Sequence, residues 1–359
     1  MDILSDIRNH IAFITLNRPA ALNALSHGMV RELQPLLEAY AASPDVHAVL
    51  IKGAGEKAFC AGGDIRAMHE SATTGKTEHE DFFRDEYVLD HYLHRYPKPY
   101  VALMDGICMG GGMGIAQAAK LRIVTDRTRI AMPEVGIGLF PDVGGSYFLS
   151  RLPGALGNYL ALTGSQIRAA DALYAQLADV YLARAAVEQL DSVLGNLNWS
   201  RDHSADLYGA VRALASIDHP EASLTILRAA IDLHFSHATV AAIMKSLRSE
   251  QRPEYTEWAQ QTVKTMEGRS PTMMMATLRQ LQLGKIKTLA DCFRMELVMT
   301  KQCFVQGDII EGIRALIIDK DNKPQWKPAR LEDVTAASVD AFFQSPWTTA
   351  SHPLSVLKD

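Results

Sequence analysis

The first part of the chain alternates short apolar segments with amphipathic ones. Four segments rich in β-branched and apolar residues have the character of buried strands: HIAFITLN (10–17), VHAVLIKG (46–53), PKPYVALMDG (97–106) and LRIVTD (121–126). Three segments between them favour helices: MVRELQPLLEAY (29–40), a stretch from about 80 to 95, and 111–120. This rhythm of strand, strand and helix predicts an α/β fold with buried sheets.

From about residue 184 to residue 301 the pattern favours helices and gives few strand signals. One more helix is expected over GDIIEGIRALIIDK (307–320), with Asp308 as a candidate N-cap and Glu311 three residues later. No internal repeat or low-complexity linker separates the two parts. We therefore predict a core over 1–183 and a mainly helical region over 184–359, packed on the core rather than tethered to it.

Composition limits the classes of partner. The chain has 359 residues, of which 48% are hydrophobic and 21% charged, as in an ordinary soluble protein of one large domain or two. The net charge is −5 and no tract of five basic residues occurs, so nucleic acid is not expected as a partner. The longest apolar stretch (101–119) contains Asp105 and is rich in glycine, so no membrane span is expected.

The cysteines and the first residues bear on the compartment. Cys60, Cys108, Cys292 and Cys303 form no CxxC pair and have no zinc-like spacing, which predicts reduced thiols. The segment MDILSDIRNHIAFITLNRP is acidic and leads into a strand, so it is interpreted as neither a signal nor a transit peptide. A cytoplasmic protein is the resulting expectation.

Two acids stand alone among glycines and apolar residues in AMPEVGIGLFPDVGGSYFLSRL (131–152). Glu134 and Asp142 are eight positions apart, and no other charged residue lies between them. Carboxylates are seldom buried unless something pairs with them, so both are candidates for chemistry. The structural alternatives are a turn acid for Glu134 and the N-cap of a helix beginning near Gly144 for Asp142.

The sequence has two glycine clusters, FCAGGDI (59–65) and GICMGGGMG (106–114), and the second follows a predicted strand and opens a predicted helix. Backbone N–H groups at such turns and at a helix start can bind a developing oxyanion, because glycine lets an oxygen approach closely. The alternative is that the glycines serve only tight turns and close packing. A P-loop, a dinucleotide-binding GxGxxG and a GxSxG nucleophile elbow are all absent from the sequence.

Taken together, KAFCAGGDI, PKPYVALMDGICMGGGMG and MPEVGIGLFPDVGG resemble the crotonase (enoyl-CoA hydratase/isomerase) superfamily over residues 10 to 180. A narrower likeness, to the 3-hydroxyisobutyryl-CoA hydrolases of that superfamily, extends over nearly the whole chain. It is carried by FFRDEY (82–87), AMPEVGIGLFPDVGGSYFLSRL (131–152), LALTG (160–164) and EGIRALIIDKDNKPQWKP (311–328).

The resemblance implies a crotonase-like spiral of ββα turns that binds acyl-CoA, with 1–183 as the catalytic core. It implies that Gly63 and Gly111 supply the oxyanion N–H groups and that Glu134 and Asp142 are the catalytic acids. Gly111, Glu134 and Asp142 would also contact the substrate, together with Glu86. No cofactor is implied, because CoA is part of the substrate, and a homo-oligomer is possible.

One departure favours hydrolysis over hydration. Hydratases of this superfamily carry glutamate two residues after the GGG run, where this chain has Gly114. Glu134 could act as base on water or attack the thioester directly, and Asp142 could bind the 3-hydroxyl of the substrate or assist water. The predicted function is hydrolysis of 3-hydroxyisobutyryl-CoA in valine breakdown. The alternatives are an enoyl-CoA hydratase or isomerase and a catalytically silent acyl-CoA-binding subunit.

Other polar groups give weaker signals. The histidines near one another in sequence, His69, His79, His91 and His94, lack an evident third ligand, so no metal is expected. Lys57, Arg66 and Lys98 are candidates for contacts with CoA phosphates, although surface solvation is the simpler interpretation of each.

Overall fold

All the strands lie between residues 3 and 181 of the chain. The computed structural model describes residues 1–359. Its strands are β1 (Ile3–Arg8), β2 (Ile11–Leu16), β3 (Ala48–Gly53), β4 (Ala58–Cys60), β5 (Tyr100–Met104), β6 (Ile107–Met109), β7 (Leu121–Val124), β8 (Arg129–Ala131), β9 (Ile167–Arg168) and β10 (Val180–Tyr181). The four predicted strands are confirmed as β2, β3, β5 and β7.

Helices lie between the strand pairs, and they are the main elements of the chain after β10. They are α1 (His27–Ala42), α2 (Ile65–Thr73), α3 (Glu78–His94), α4 (Gly111–Gln117), α5 (Gly145–Phe148), α6 (Leu156–Thr163), α7 (Ala169–Tyr174), α8 (Arg184–Gly195), α9 (His203–Ala213), α10 (Ser223–Phe235), α11 (Val240–Arg248), α12 (Pro253–Glu267), α13 (Pro271–Gly284), α14 (Leu289–Gln306), α15 (Ile309–Ile313) and α16 (Ala336–Ala341). The predicted helical character beyond residue 184 is confirmed. No helix has both the length and the apolar content needed to cross a membrane.

Successive strand pairs divide between two sheets. A six-stranded sheet has the order β1-β2-β3-β5-β7-β10, and a four-stranded sheet has the order β4-β6-β8-β9. The first strand of each pair β3–β4, β5–β6 and β7–β8 therefore joins the larger sheet and the second joins the smaller one. Parallel pairing of β2, β3, β5 and β7 requires a crossover between neighbours, which the helices provide. This confirms the predicted ββα repeat.

The chain divides into two compact units that interleave along the sequence. The first comprises 1–63, 89–130 and 167–225, and the second comprises 64–88, 131–166 and 226–359. The sequence-based division into 1–183 and 184–359 follows a change in secondary structure rather than compactness, and it stays a prediction.

The first unit is built around the six-stranded sheet. Phe13, Leu50 and Val101 belong to one buried apolar cluster of this sheet, and Leu190 and Leu207 from α8 and α9 complete it. Burial of such side chains is the main source of folding free energy, at roughly 25 cal/mol per Å² of apolar surface. The apolar side chains of these strands are therefore buried within this unit.

The second unit is mainly helical. Met273 on α13 and Phe293 on α14 are fully buried in it. A Cβ built on Gly284, at the end of α13, would lie 2.0 Å from the carbonyl oxygen of Ser146. Only glycine permits this approach, so the end of α13 lies directly against α5.

The prediction of Asp308 as an N-cap is confirmed in position but not in hydrogen bonding. Asp308 occupies the N-cap position of α15, but its side chain makes no capping hydrogen bond. It accepts instead from the Ser270 hydroxyl at 2.7 Å and from the Lys327 backbone N–H at 3.0 Å. The α-helix ends at Ile313, and a π-helical segment, Arg314–Ile318, follows it directly. Tertiary partners have replaced the local cap.

Candidate active site

Two glycine segments of the first unit lie side by side. Gly62 has a φ of 107° and Gly110 a φ of 49°, in the region that favours glycine. A Cβ on Gly62 would lie 3.7 Å from the backbone nitrogen of Gly111, and one on Gly112 would lie 2.4 Å from the carbonyl oxygen of Cys60. Tight turns and close packing therefore explain Gly62, Gly110 and Gly112.

Gly63 and Gly111, the predicted oxyanion donors, adjoin these turns. Gly63 forms a parallel bridge with Leu25. Gly111 is the first residue of α4, and every residue of that short helix is buried, including Gly114. The structure thus places both glycine segments together in the first unit, and the oxyanion role of their N–H groups stays a prediction.

Glu134 begins a short 3-10 helix, Glu134–Ile137, in the second unit. Its carbonyl accepts from the N–H of Gly138, which closes the turn with a φ of 73°. The side chain is buried at 5% exposure, and its Oε2 atom has no hydrogen-bond partner. Burial, together with the nearby charge of Asp142, raises the pKa of Glu134 well above its usual range.

The turn that carries Glu134 is fixed from several sides. A Cβ on Gly136 would lie 2.5 Å from Nη1 of Arg269, and one on Gly138 would lie 2.5 Å from the carbonyl oxygen of Asp308. A Cβ on Gly312 of α15 would lie 2.2 Å from the carbonyl oxygen of Ile137. The backbone of this turn therefore has little room to move, which favours a fixed position for the Glu134 carboxyl.

Asp142 is the second buried acid, at 4% exposure. The Tyr87 hydroxyl donates to its Oδ2 atom at 2.6 Å and lies 2.8 Å from the Thr300 hydroxyl. Burial and the charge of Asp142 raise the pKa of Tyr87, so the phenol keeps the proton that it donates. Burial also raises the pKa of Asp142, although the bond from Tyr87 acts in the opposite direction.

The helix-cap interpretation of Asp142 is wrong. The N-cap of α5 is Gly144, which has no side chain that could bond to the helix. The carbonyl of Asp142 accepts from the Gly145 N–H at 2.7 Å, while its carboxylate is held by Tyr87. The side chain is therefore oriented by a tertiary contact rather than by the local helix.

Sequence reasoning missed a third buried acid, Glu296, in the middle of α14. It is 0% exposed and accepts from the backbone N–H groups of Gly144 at 2.8 Å and Ser146 at 2.9 Å, and from the Ser146 hydroxyl. Burial raises the pKa of Glu296 to about 8, although these hydrogen bonds lower it. A glutamate among the apolar residues of MELVM (295–299) was the only signal in the sequence.

The other residues singled out in the sequence are an acid, a lysine, the histidines and the cysteines. Glu86 precedes Tyr87 on α3 and is buried at 2% exposure, and its contact with the substrate stays a prediction. The ammonium group of Lys98 donates to the carbonyls of Tyr40 and Ser43, each at 2.6 Å, and so caps the end of α1. His79 lies 3.0 Å from the Ser71 hydroxyl. No group of three or more His, Cys, Asp or Glu side chains is placed to hold a metal ion, and all four cysteines are free and buried.

Comparison with known proteins gives consistent results. The model of the enoyl-CoA hydratase/isomerase family matches residues 11–343. The chain is 41% identical over 348 residues to the mitochondrial 3-hydroxyisobutyryl-CoA hydrolase of Rattus norvegicus, covering 96% of this chain and 89% of that protein. A carnitinyl-CoA dehydratase from Mycobacterium thermoresistibile superposes with a TM-score of 0.87 at 39% identity over 96% of both chains. An enoyl-CoA hydratase from Rhodobacter sphaeroides 2.4.1 gives a TM-score of 0.86 at 36% identity, over 96% of this chain and 98% of the other.

Proposed function

Because this chain belongs to the enoyl-CoA hydratase/isomerase family, that is, the crotonase superfamily, we propose that it is a thioester hydrolase of 3-hydroxyisobutyryl-CoA. The substrate is this thioester or a close 3-hydroxyacyl-CoA, and the products are the free hydroxy acid and CoA. The likeness to a hydrolase of this name over 96% of the chain carries the proposal. The reaction needs no cofactor, since CoA is part of the substrate.

Asp142 recognises the 3-hydroxyl group of the substrate. Its Oδ2 atom already accepts from Tyr87, which leaves the other oxygen to accept from the substrate. A buried acceptor of this kind favours a hydroxylated acyl chain, because an analogue without the hydroxyl leaves the acceptor unsatisfied. The Thr300–Tyr87–Asp142 chain fixes the direction of that acceptor.

Glu134 supplies the base or the nucleophile. Either its carboxylate removes a proton from water that attacks the thioester carbonyl, or it attacks that carbon itself and forms an anhydride that water then cleaves. The N–H groups of Gly63 and Gly111 stabilise the oxyanion in both routes. A single turnover in isotopically labelled water distinguishes them, because attack of water on the Glu134 carbonyl of the anhydride leaves the label in the protein.

The pH profile should show the raised pKa of Glu134. The base is active only when ionised, so kcat/KM should rise with pH and level off above a pKa higher than the usual value of about 4.3. Asp142→Asn removes the charge that contributes to this shift, so the rising limb should move to lower pH. The matched control is Glu254→Gln, at an exposed site of the second unit, which should leave the profile unchanged. A profile unaffected by Asp142→Asn would contradict the coupling between the two acids.

Hydration or isomerisation of an enoyl-CoA is the second candidate, because two similar structures are of a dehydratase and a hydratase. A panel of acyl-CoA substrates assayed with a thiol reagent and by enoyl absorbance separates the possibilities. Hydrolysis releases thiol and hydration changes the enoyl absorbance. A silent binding subunit does neither, and it would bind acyl-CoA without turnover.

A glutamate at residue 114 tests the departure from the hydratases. We expect Gly114→Glu to lower hydrolysis without producing efficient hydration, because catalytic groups must be placed to within roughly 0.5 Å and α4 is fully buried. Gly114→Ala measures the effect of size alone. Thiol release and enoyl absorbance are followed for both variants. Rapid hydration of an enoyl-CoA by the variant, or by the unmodified protein, would support the second candidate instead.

The proposal extends to valine breakdown, where this thioester occurs, and to a homo-oligomeric assembly in the cytoplasm. The relatives carry the word mitochondrial in their names. Fractionation of cells that express the full chain tests the compartment, and light scattering of the purified protein tests the assembly, both separately from the chemistry.

A further inference from the structure

The backbone next to Asp142 adopts a conformation that its sequence disfavours. Val143 has a φ of 51° and Gly144 a φ of 85°, and the Gly145 N–H bonds back to the Asp142 carbonyl at 2.7 Å. These are the features of a turn with two left-handed central residues, which normally takes glycine, asparagine or aspartate. A β-branched residue at positive φ is strained and persists only when its surroundings hold it.

The carboxyl group of Glu296 holds this turn from α14. One oxygen accepts from the Gly144 N–H and the other from the Ser146 N–H and hydroxyl. The backbone is therefore held at Gly144, inside the turn, and at Ser146, directly after it. On the other side of Asp142, the Gln280 amide donates to the Pro141 carbonyl at 2.7 Å. Glu296 and Gln280 are both 0% exposed, so water does not replace either contact in the folded protein.

We propose that Glu296 is a positioning residue for the hydrolysis, which holds the strained turn and thereby aims the Asp142 carboxylate at the substrate hydroxyl. The inference rests on the proposed function. Glu296 touches neither the substrate nor the reacting atoms in this scheme. It acts through the backbone of Gly144 and Ser146.

A carboxyl group is needed here, and an amide cannot replace it. Each oxygen of Glu296 keeps a lone pair for a backbone N–H, even when a proton lies on the oxygen that faces the Ser146 hydroxyl. In glutamine the NH₂ group has only donors, so either Gly144 or Ser146 loses its acceptor. A buried N–H without an acceptor is unfavourable, so the turn should relax and move Asp142.

Glu296→Gln should therefore lower kcat on 3-hydroxyisobutyryl-CoA by roughly 10²-fold, the effect of misplacing a catalytic group by about 1 Å. Isobutyryl-CoA, which lacks the hydroxyl, should be affected much less, so the preference for the hydroxylated substrate falls. In the Asp142→Ala background the same change should have little further effect on either substrate, because the group that Glu296 positions is gone. A purely structural role would leave the preference unchanged and give additive losses.

Glu250→Gln is the matched control. Glu250 is also a buried carboxylate of the second unit, but it accepts from His234 and Arg252 and makes no contact with the turn. This variant should keep the wild-type preference. If Glu296→Gln does not fold, Ser146→Ala decides, since it removes one hydrogen bond and keeps the two from the backbone. A several-fold lower preference supports the positioning role, and an unchanged preference overturns it.

The outcomes for the two proposals are distinct. Absence of thiol release by the wild-type protein overturns the proposed function. If the wild-type protein is active, and Glu296→Gln slows both substrates equally in both backgrounds or changes neither, only the role of Glu296 is overturned. Loss of preference without a further effect in the Asp142→Ala background supports both.

Discussion

Glu134→Gln should bind acyl-CoA nearly as tightly as the wild-type protein and turn it over roughly 10²–10⁴ times more slowly. The amide keeps the size of the side chain but can neither remove a proton from water nor attack a thioester. The turn itself should survive, because its closing hydrogen bonds run to the carbonyl of Glu134 and Oε2 has no partner to lose. The measurements are kcat from thiol release and the dissociation constant of a non-hydrolysable acyl-CoA.

Thermal unfolding at several pH values gives the control. The pKa of Glu134 is raised in the folded state, so the wild-type protein loses stability as pH rises from the unfolded pKa through the folded one. Glutamine removes this loss, and the variant should become relatively more stable toward high pH. A folded variant with near-normal kcat would instead assign Glu134 to structure alone.

Asp142→Ala should hydrolyse 3-hydroxyisobutyryl-CoA poorly and lose most of its discrimination against isobutyryl-CoA. A site that hydrogen-bonds a substrate hydroxyl can reject the analogue without it by about 10⁴–10⁵, whereas one methylene is worth only about 10–200-fold. The test compares kcat/KM for the two thioesters in both proteins. Asp142→Asn is the control, because its carbonyl oxygen can still accept from the substrate hydroxyl.

Other results would assign Asp142 differently. Equal slowing of the two thioesters would mean that the aspartate acts on water or on the leaving thiolate, and hydrolysis would still be the function. No slowing of either would leave Asp142 with a structural role only. Asp142→Ala removes the hydrogen bond from Tyr87 to a carboxylate and leaves the Thr300 hydroxyl as its partner, so some loss of stability is expected, about 1.5–3 kcal/mol for a bond to a charged group.

The local elements and their order along the chain could be predicted from the sequence alone. Runs such as HIAFITLN predict a strand because their β-branched side chains fit a buried sheet, and β2 forms over Ile11–Leu16. The isolated acids Glu134 and Asp142 were predicted as candidates because carboxylates among apolar residues need a reason to be there. Both are buried, and their catalytic roles stay predictions.

The contacts of those acids could not be predicted, because they depend on residues that the folded chain brings together. Tyr87, Thr300 and Glu296 come from α3 and α14, far from residue 142 in the sequence, and no local pattern relates them to it. Asp308 occupies the predicted N-cap position without a capping hydrogen bond, and Asp142, for which a helix cap was the structural alternative, does not cap α5. The same reason explains both. A side-chain carboxylate bonds to whichever donors the folded chain brings near, and in a buried site the donors of distant helices replaced those of the adjacent turn.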